Sequence, residues 1–346
     1  MPKVAIIGTT TWGITLGVVL AGRKVEVGLW ARTEEEAAEL GNAGHHSGVF
    51  SGVTFPTRLQ VTSSLDEALT GAKAVILAVP SQSMRQNIKT VAEHLDGSML
   101  IVSAAKGLEV GSNKRLSEVI ADEVNPDFWP NICILSGPNL SQEILQNLPA
   151  VAVVAAQEEA VARKAQRLLN TPSLCLYTNT DVIGVELGGA LKNIIALGAG
   201  IADGLGYGDN AKAALITRGL TEITALGVAL GANPLTFSGL TGLGDLIATC
   251  SSPLSRNHYV GVELTKGRPL EEITSSMSGV AEGLNTTIVA HNLALQLGVE
   301  MPIAERIYQV LYHGLSPRQA ALELMEAQAG HELAGRRWQL FSLFKR

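Results

Sequence analysis

The sequence predicts an α/β fold, with a doubly wound, mostly parallel sheet in the N-terminal part and a mainly α-helical C-terminal part. Three observations predict it. Short β-branched runs alternate with helix-like segments up to about residue 180. Beyond that point the runs vanish and the pattern turns helical, with glycine-rich joints. The first run leads directly into a glycine loop and an apolar helix.

In chain order the runs are Val4 to Gly8, Val25 to Trp30, Ala74 to Val79, Met99 to Ala104, Ile132 to Ser136 and Ala150 to Ala156. Their unbroken apolar character is that of parallel strands buried on both faces. In such sheets ligands bind where the carboxyl ends of the strands face a crevice. The first strand opens into Gly8-Thr9-Thr10-Thr11-Trp12-Gly13, the strand-loop-helix context of a Rossmann-type dinucleotide site. Gly8 and Gly13 keep the tight turn and the helix packing, while Thr10 replaces the middle glycine and puts a Cβ where backbone normally approaches the pyrophosphate. Amides at the helix N-terminus, from Thr11 and Trp12 onward, together with the Thr11 hydroxyl, remain able to bind phosphate.

The second strand ends in Trp30-Ala31-Arg32-Thr33, with no carboxylate for a ribose diol. Arg32, followed by Thr33, suits a 2′-phosphate and can stack on adenine, so NADP is favoured over NAD. The competing reading is an exposed arginine opening a helix with Glu34, Glu35 and Glu36.

Past Thr180 the helical pattern is jointed at 204–208, 239–244 and 279–283. The chain therefore divides into a sheet domain, 1–179, a helical domain, 180–335, and a tail, 336–346, that is basic at both ends with Trp338, Phe341 and Phe344 spaced three apart. The tail reads as a terminal helix docking on its own core, or alternatively as a contact with a membrane surface or a partner. No internal repeat is present.

At 346 residues the chain can bury two cores, and 46 % hydrophobic against 17 % charged residues argues for compact folding rather than disorder. A formal net charge of -6 disfavours nucleic acid as a partner. Cys133, Cys175 and Cys250 are too far apart for a zinc motif or disulfide framework, which fits a reducing cytoplasm. The strand starting at Val4 leaves no room for a signal-peptide core. No uncharged apolar run reaches the roughly 18 residues of a membrane span, so no integral membrane contact is expected. His45 and His46, adjacent in an extended loop, point apart, and no metal site is expected.

Lys192 and Asn193 interrupt the glycine-rich stretch 184–200, otherwise apolar but for Glu186. In a helix, Gly188 and Gly189 lie on the face over which Lys192 leans, where a substrate could come close. Desolvation lowers a lysine pKa and makes it a proton donor or acceptor near neutrality. The plainer alternative is a snorkelling surface lysine.

Further segments join this one: Ala105-Lys106-Gly107-Leu108-Glu109, Ser136-Gly137-Pro138-Asn139, the stretch 202–223, Gly242-Leu243-Gly244-Asp245-Leu246, Ser255-Arg256-Asn257 and Val280-Ala281-Glu282-Gly283. With them the chain closely resembles the bacterial-type NAD(P)-dependent glycerol-3-phosphate dehydrogenases, from residue 2 to about 330. The resemblance implies reversible reduction of dihydroxyacetone phosphate to sn-glycerol 3-phosphate, the backbone precursor of phospholipids, with NADP or NAD as cofactor. It makes Lys192 the general acid/base and Asn193 a supporting amide. Lys106 would stabilise charge on the substrate oxygen, and Asp245 would orient Lys192, with Thr249 one helical turn further on the same face.

Ser255, Arg256 and Asn257 would clamp the substrate phosphate, and Gly137, Asn139 and Ser141 would line substrate and cofactor. Arg256, Val280 and Glu282 would reach the cofactor, Glu282 by accepting from a ribose hydroxyl or by bracing Arg256. Taken singly, Asp245 could be a helix N-cap, Asn257 a turn residue and Glu282 a surface acid. Two departures stand out: Thr9-Thr10 replaces Ala-Gly, and Val49-Phe50-Ser51-Gly52 stands where a Tyr-Leu-Pro-Gly type segment is usual. The competing functions are a related two-domain dehydrogenase acting on another phosphorylated 2-oxo compound and a non-catalytic NADP-binding regulatory protein. The sequence leaves monomer or homodimer open.

Overall fold

The computed structural model describes residues 1–43 and 53–326. His45, His46, the segment 49–52 and the tail 336–346 lie outside the described residues.

Eight strands form one sheet: β1 (Lys3–Ile7), β2 (Glu26–Trp30), β3 (Leu59–Thr62), β4 (Ala72–Leu77), β5 (Leu100–Ser103), β6 (Ile132–Ser136), β7 (Ala150–Ala155) and β8 (Leu174–Asn179). Their spatial order is β3-β2-β1-β4-β5-β6-β7-β8. The first six are parallel in the 3-2-1-4-5-6 order of dinucleotide-binding sheets; β7 runs antiparallel to β6 and parallel to β8. The order reverses between β1 and β4, so the crevice for a ligand opens beyond Ile7 and Leu77, above the glycine loop. Helices cover both faces, and each face buries its own core, one centred on Val4, Ile6, Ile76 and Val102, the other on Ile7, Leu77, Ile88 and Ile101.

Strands β3 and β8 are additions to the six that the sequence predicts. Both lie at sheet edges, and β8 alternates buried and exposed side chains instead of presenting one apolar run. A search for doubly buried strands passes over such half-exposed edges.

After β8 ends at Asn179, helix Val182–Gly204 begins and forms the axis of the helical part. It is long and apolar enough to span a membrane by composition, but 94 % of its apolar window is buried inside the protein. Leu187, Leu191, Ile194 and Leu197 pack there with Ile223, Phe237, Val260 and Ile307 from surrounding helices. The glycines on this helix admit protein rather than substrate: a Cβ at Gly188 would stand 2.7 Å from the Thr241 carbonyl, and one at Gly189 would overlap the Ser136 hydroxyl at the end of β6. The close approach expected there is thus made by the π-helical turn Leu240–Gly244 and by the sheet.

Candidate active site

The π-helical turn Leu240–Gly244 delivers Asp245 to the start of helix Asp245–Ser251, and π-turns of this kind recur at functional sites. Asp245 is buried and is no N-cap: its two carboxylate oxygens receive two different lysines. Lys106, on the loop after β5, donates to Oδ2 at 2.8 Å, and Lys192, from the long helix, donates to Oδ1. One turn beyond Asp245, the Thr249 hydroxyl accepts a second bond from Lys192 at 2.6 Å and donates to the Asp245 carbonyl at 2.7 Å. Lys192 is buried among these groups, so it does not snorkel.

An ammonium has three hydrogens, which separates the two lysines. Lys106 spends all three, on Asp245, on the Gly137 carbonyl at 2.7 Å and on Asn139 Oδ1 at 2.7 Å. Among the described residues Lys192 spends two and keeps one. Burial, with repulsion from Lys192 added, pulls Lys106 down to about 7 although Asp245 favours its charge. The Asn139 amide nitrogen is buried beside this cluster without a partner among the described residues, a donor left for a ligand. Gly137 and Asn139 leave the end of β6, and Ser141 opens the short helix Ser141–Leu145 beside them.

The phosphate-clamp residues occupy the start of helix Arg256–Thr265, with Ser255 as N-cap accepting from His258 N–H at 3.3 Å. The Arg256 and Asn257 amides at this terminus and the Arg256 guanidinium are donors of the kind an anion requires. Asn257 serves differently from the expectation of three equal donors. Its Nδ2 donates to Asn193 Oδ1 at 2.9 Å and its Oδ1 accepts from Gly283 N–H at 2.9 Å, tying the long helix to the one that starts at Gly283. Arg256 Nη1 donates to the Val280 carbonyl at 3.2 Å. Glu282 does not brace it by a direct bond: the Glu282 carboxylate accepts from Ser81 N–H at 2.9 Å and from the Ser81 hydroxyl, after β4. Burial raises the Glu282 carboxyl and lowers the Arg256 guanidinium.

At the glycine loop, Gly8 has φ of +108°, and a Cβ there would come within 2.8 Å of the Ala78 carbonyl. Thr10 is the N-cap of helix Thr11–Gly22: its hydroxyl donates to the Ala78 carbonyl at 2.6 Å and accepts from Gly13 N–H at 3.1 Å. The side chain expected to stand in the way of a pyrophosphate is therefore bonded to the end of β4 and to its own helix. The Thr11 and Trp12 amides, first in the helix, have no acceptor among the described residues, and the Trp12 indole N–H is buried without one. These donors fit a dinucleotide phosphate.

Arg32 is exposed at the end of β2, with Thr33 accepting from Glu36 N–H at 3.1 Å. The strand end itself carries no carboxylate, as expected, but Glu36 turns back to it from the next helix and accepts from Arg32 N–H at 3.0 Å. Ser81 and Glu36 are the site residues that motif reading missed. Ser81 was findable from its place just past the apolar run ending at Val79, whereas nothing in the spacing of Glu34, Glu35 and Glu36 singles out the third. Among the described residues no group of three or more metal-ligating side chains gathers.

Comparison with known proteins agrees with this geometry. The family models described as NAD-dependent glycerol-3-phosphate dehydrogenase N-terminus and C-terminus match residues 3–162 and 181–322. A glycerol-3-phosphate dehydrogenase (NAD(P)+) of Dehalococcoides mccartyi is 64 % identical over 348 residues, covering 100 % of this chain and 97 % of that protein. One of Citrifermentans bemidjiense is 47 % identical over 323 residues, covering 93 % and 96 %. The crystal structure of glycerol-3-phosphate dehydrogenase from Coxiella burnetii superposes with a TM-score of 0.88 at 34 % identity, covering 94 % of this chain and 99 % of that one. These matches, with the sheet order, place the chain in the NAD-dependent glycerol-3-phosphate dehydrogenase family.

Proposed function

We propose that this chain is a cytoplasmic glycerol-3-phosphate dehydrogenase that interconverts dihydroxyacetone phosphate and sn-glycerol 3-phosphate with either nicotinamide cofactor and supplies phospholipid synthesis. The observation that carries the reading is the Lys192–Asp245–Lys106 cluster, in which only Lys192 keeps a hydrogen to give. In the proposed division the sheet domain 1–179 holds the cofactor and the helical domain 180–335 holds the substrate.

A bound nicotinamide supplies the hydride in reduction and takes it up in oxidation. The Thr11 and Trp12 amides hold the pyrophosphate, and Arg32 and Thr33 flank the adenosine. Ser141, Val280 and Glu282 stand towards the other half of the cofactor. The substrate phosphate binds at the Ser255, Arg256 and Asn257 helix terminus, which sets the ketone towards Lys192. Lys192 gives its spare proton to the ketone oxygen in reduction and takes the hydroxyl proton in oxidation. Asp245 and Thr249 fix the amine through that exchange. Lys106, its hydrogens spent, adds positive charge beside the oxygen and holds the Gly137–Asn139 loop against Asp245. Asn193 is a positioning residue, held by Asn257.

Substituting Lys192→Ala tests the reading. With the circular dichroism spectrum unchanged, kcat for dihydroxyacetone phosphate falls by roughly 10²- to 10⁴-fold, the range for loss of a general acid. Undiminished turnover would remove Lys192 from the chemistry. Unphosphorylated dihydroxyacetone, assayed in parallel, is turned over far less well if the helix terminus at Ser255 binds phosphate.

A further inference from the structure

A carboxylate stands at the adenosine end of the cofactor site although none lies in the strand itself. Glu36, in the first turn of helix Glu34–Ala43, accepts from Arg32 N–H at 3.0 Å through Oε2. Its other oxygen accepts from the Thr9 hydroxyl in the glycine loop. The carboxylate therefore bridges the carboxyl end of β2 to the loop after β1, the place from which an acidic group reaches a dinucleotide ribose in doubly wound sheets. A carboxylate offers about four lone-pair directions, of which these two bonds take two, so acceptor capacity remains for hydroxyl donors. The Thr9 hydroxyl thus fixes the carboxylate from the loop side.

We propose that Glu36 is the ribose acceptor and the specificity residue of the cofactor site, and that it offsets Arg32 so that NADH binds at least as tightly as NADPH. The proposal rests on the reading that the glycine loop binds a nicotinamide dinucleotide. A ribose with a free 2′-hydroxyl has a hydrogen to give Glu36. A 2′-phosphate carries close to two negative charges near neutral pH, brings no such donor, and meets the carboxylate with repulsion. The neighbouring Arg32 guanidinium is exposed and available to a phosphate, while its backbone N–H serves Glu36. One residue thus favours each cofactor, and the preference expected from Arg32 alone is cancelled.

The experiment is calorimetric titration of the full chain and of Glu36→Gln with NADH, NADPH, ADP-ribose and 2′-phospho-ADP-ribose, which needs no turnover. The side-chain amide in Glu36→Gln can still accept from Arg32 N–H, and a thermal melt checks that the variant folds. In the wild type the Kd for NADPH equals or exceeds that for NADH. In Glu36→Gln the Kd for NADPH divided by that for NADH falls by about tenfold, the size of one removed charge contact at a half-exposed site. The two ADP-riboses shift in the same direction, which assigns the effect to the adenosine end, and Glu36→Ala reproduces it. A ratio changed by less than twofold, or a wild type already preferring NADPH by tenfold, overturns the proposal alone. A wild type that binds none of the four ligands overturns it together with the dinucleotide reading.

Discussion

At the scale of single residues, the site is a contest between two ammonium groups for one carboxylate. Asp245 is buried and bonded to both Lys106 and Lys192, so two lysines share a single counter-charge. Lys106 yields, and burial with the neighbouring ammonium brings it to about 7. It is therefore charged below that pH and neutral above it. Since kcat/KM reports groups of the free enzyme, kcat/KM for reduction should fall by about tenfold per pH unit above roughly 7 to 8. Lys106→Arg, whose guanidinium stays protonated, should carry the falling limb beyond pH 9. A wild-type profile that is level from pH 6 to 9 would reject this assignment. At this scale Asp245 came from the family resemblance and Thr249 from its one-turn spacing to Asp245, whereas Lys192 was legible as half of a polar pair in a glycine-rich stretch, which is a local fact. The commitment of all three Lys106 hydrogens was not, because Gly137 and Asn139 lie 31 and 33 residues away on another strand end.

At the scale of elements, hydrophobic runs revealed the six inner strands and the buried helix, and they failed where an element is half exposed or closed by a distant side chain. Strands β3 and β8 are the first kind of failure. Glu222 is the second: from helix Gly208–Ala229 it accepts from Ile303 N–H at 2.8 Å and Ala304 N–H at 3.1 Å, capping helix Pro302–Tyr312 from 81 residues away. Burial lifts its carboxyl from the ordinary 4.5 to about 7. Between those values the unfolded chain has released this proton and the folded chain holds it. Stability therefore falls as pH rises through that window, by up to about 1.4 kcal/mol per pH unit. Glu222→Gln does not titrate and escapes that fall. The melting temperature of the variant relative to wild type should accordingly be higher at pH 8 than at pH 5. An equal difference at both pH values would show that Glu222 is already ionised in the folded chain, held so by the two amides.

At the scale of the whole molecule, function depends on holding a sheet domain and a helical domain in one register, since the glycine loop belongs to the first and Lys192 to the second. Among the described residues, polar ties cross between them from Lys106 to Asp245, Ser81 to Glu282, Asn292 to Asn113, and Arg115 with Ser117 to Glu186. Their partners are 139, 201, 179 and 69 to 71 residues apart, so no local spacing could disclose them, although Lys106, Asp245 and Glu282 stood in recognisable motifs. Glu186 is buried. It lies six residues before Lys192 on the same helix and accepts from Ser117 N–H at 2.7 Å, the Ser117 hydroxyl at 2.6 Å and Arg115 Nη1 at 3.0 Å. Each part has its own core, so these ties and the packing around them should couple the unfolding of the two. Removing Glu186 strands the buried Ser117 N–H and hydroxyl and leaves Arg115 with Glu118, at 3.0 Å, as its remaining carboxylate, a loss of about 3 kcal/mol. The wild type should therefore show one calorimetric transition, and Glu186→Ala should split it into two, the first lowered by roughly 10 °C. Turnover should disappear with that first transition, before the second domain melts. Two transitions already present in the wild type, or one unshifted transition in the variant, would mean that the domains are coupled by apolar packing and that Glu186 serves only its own helix.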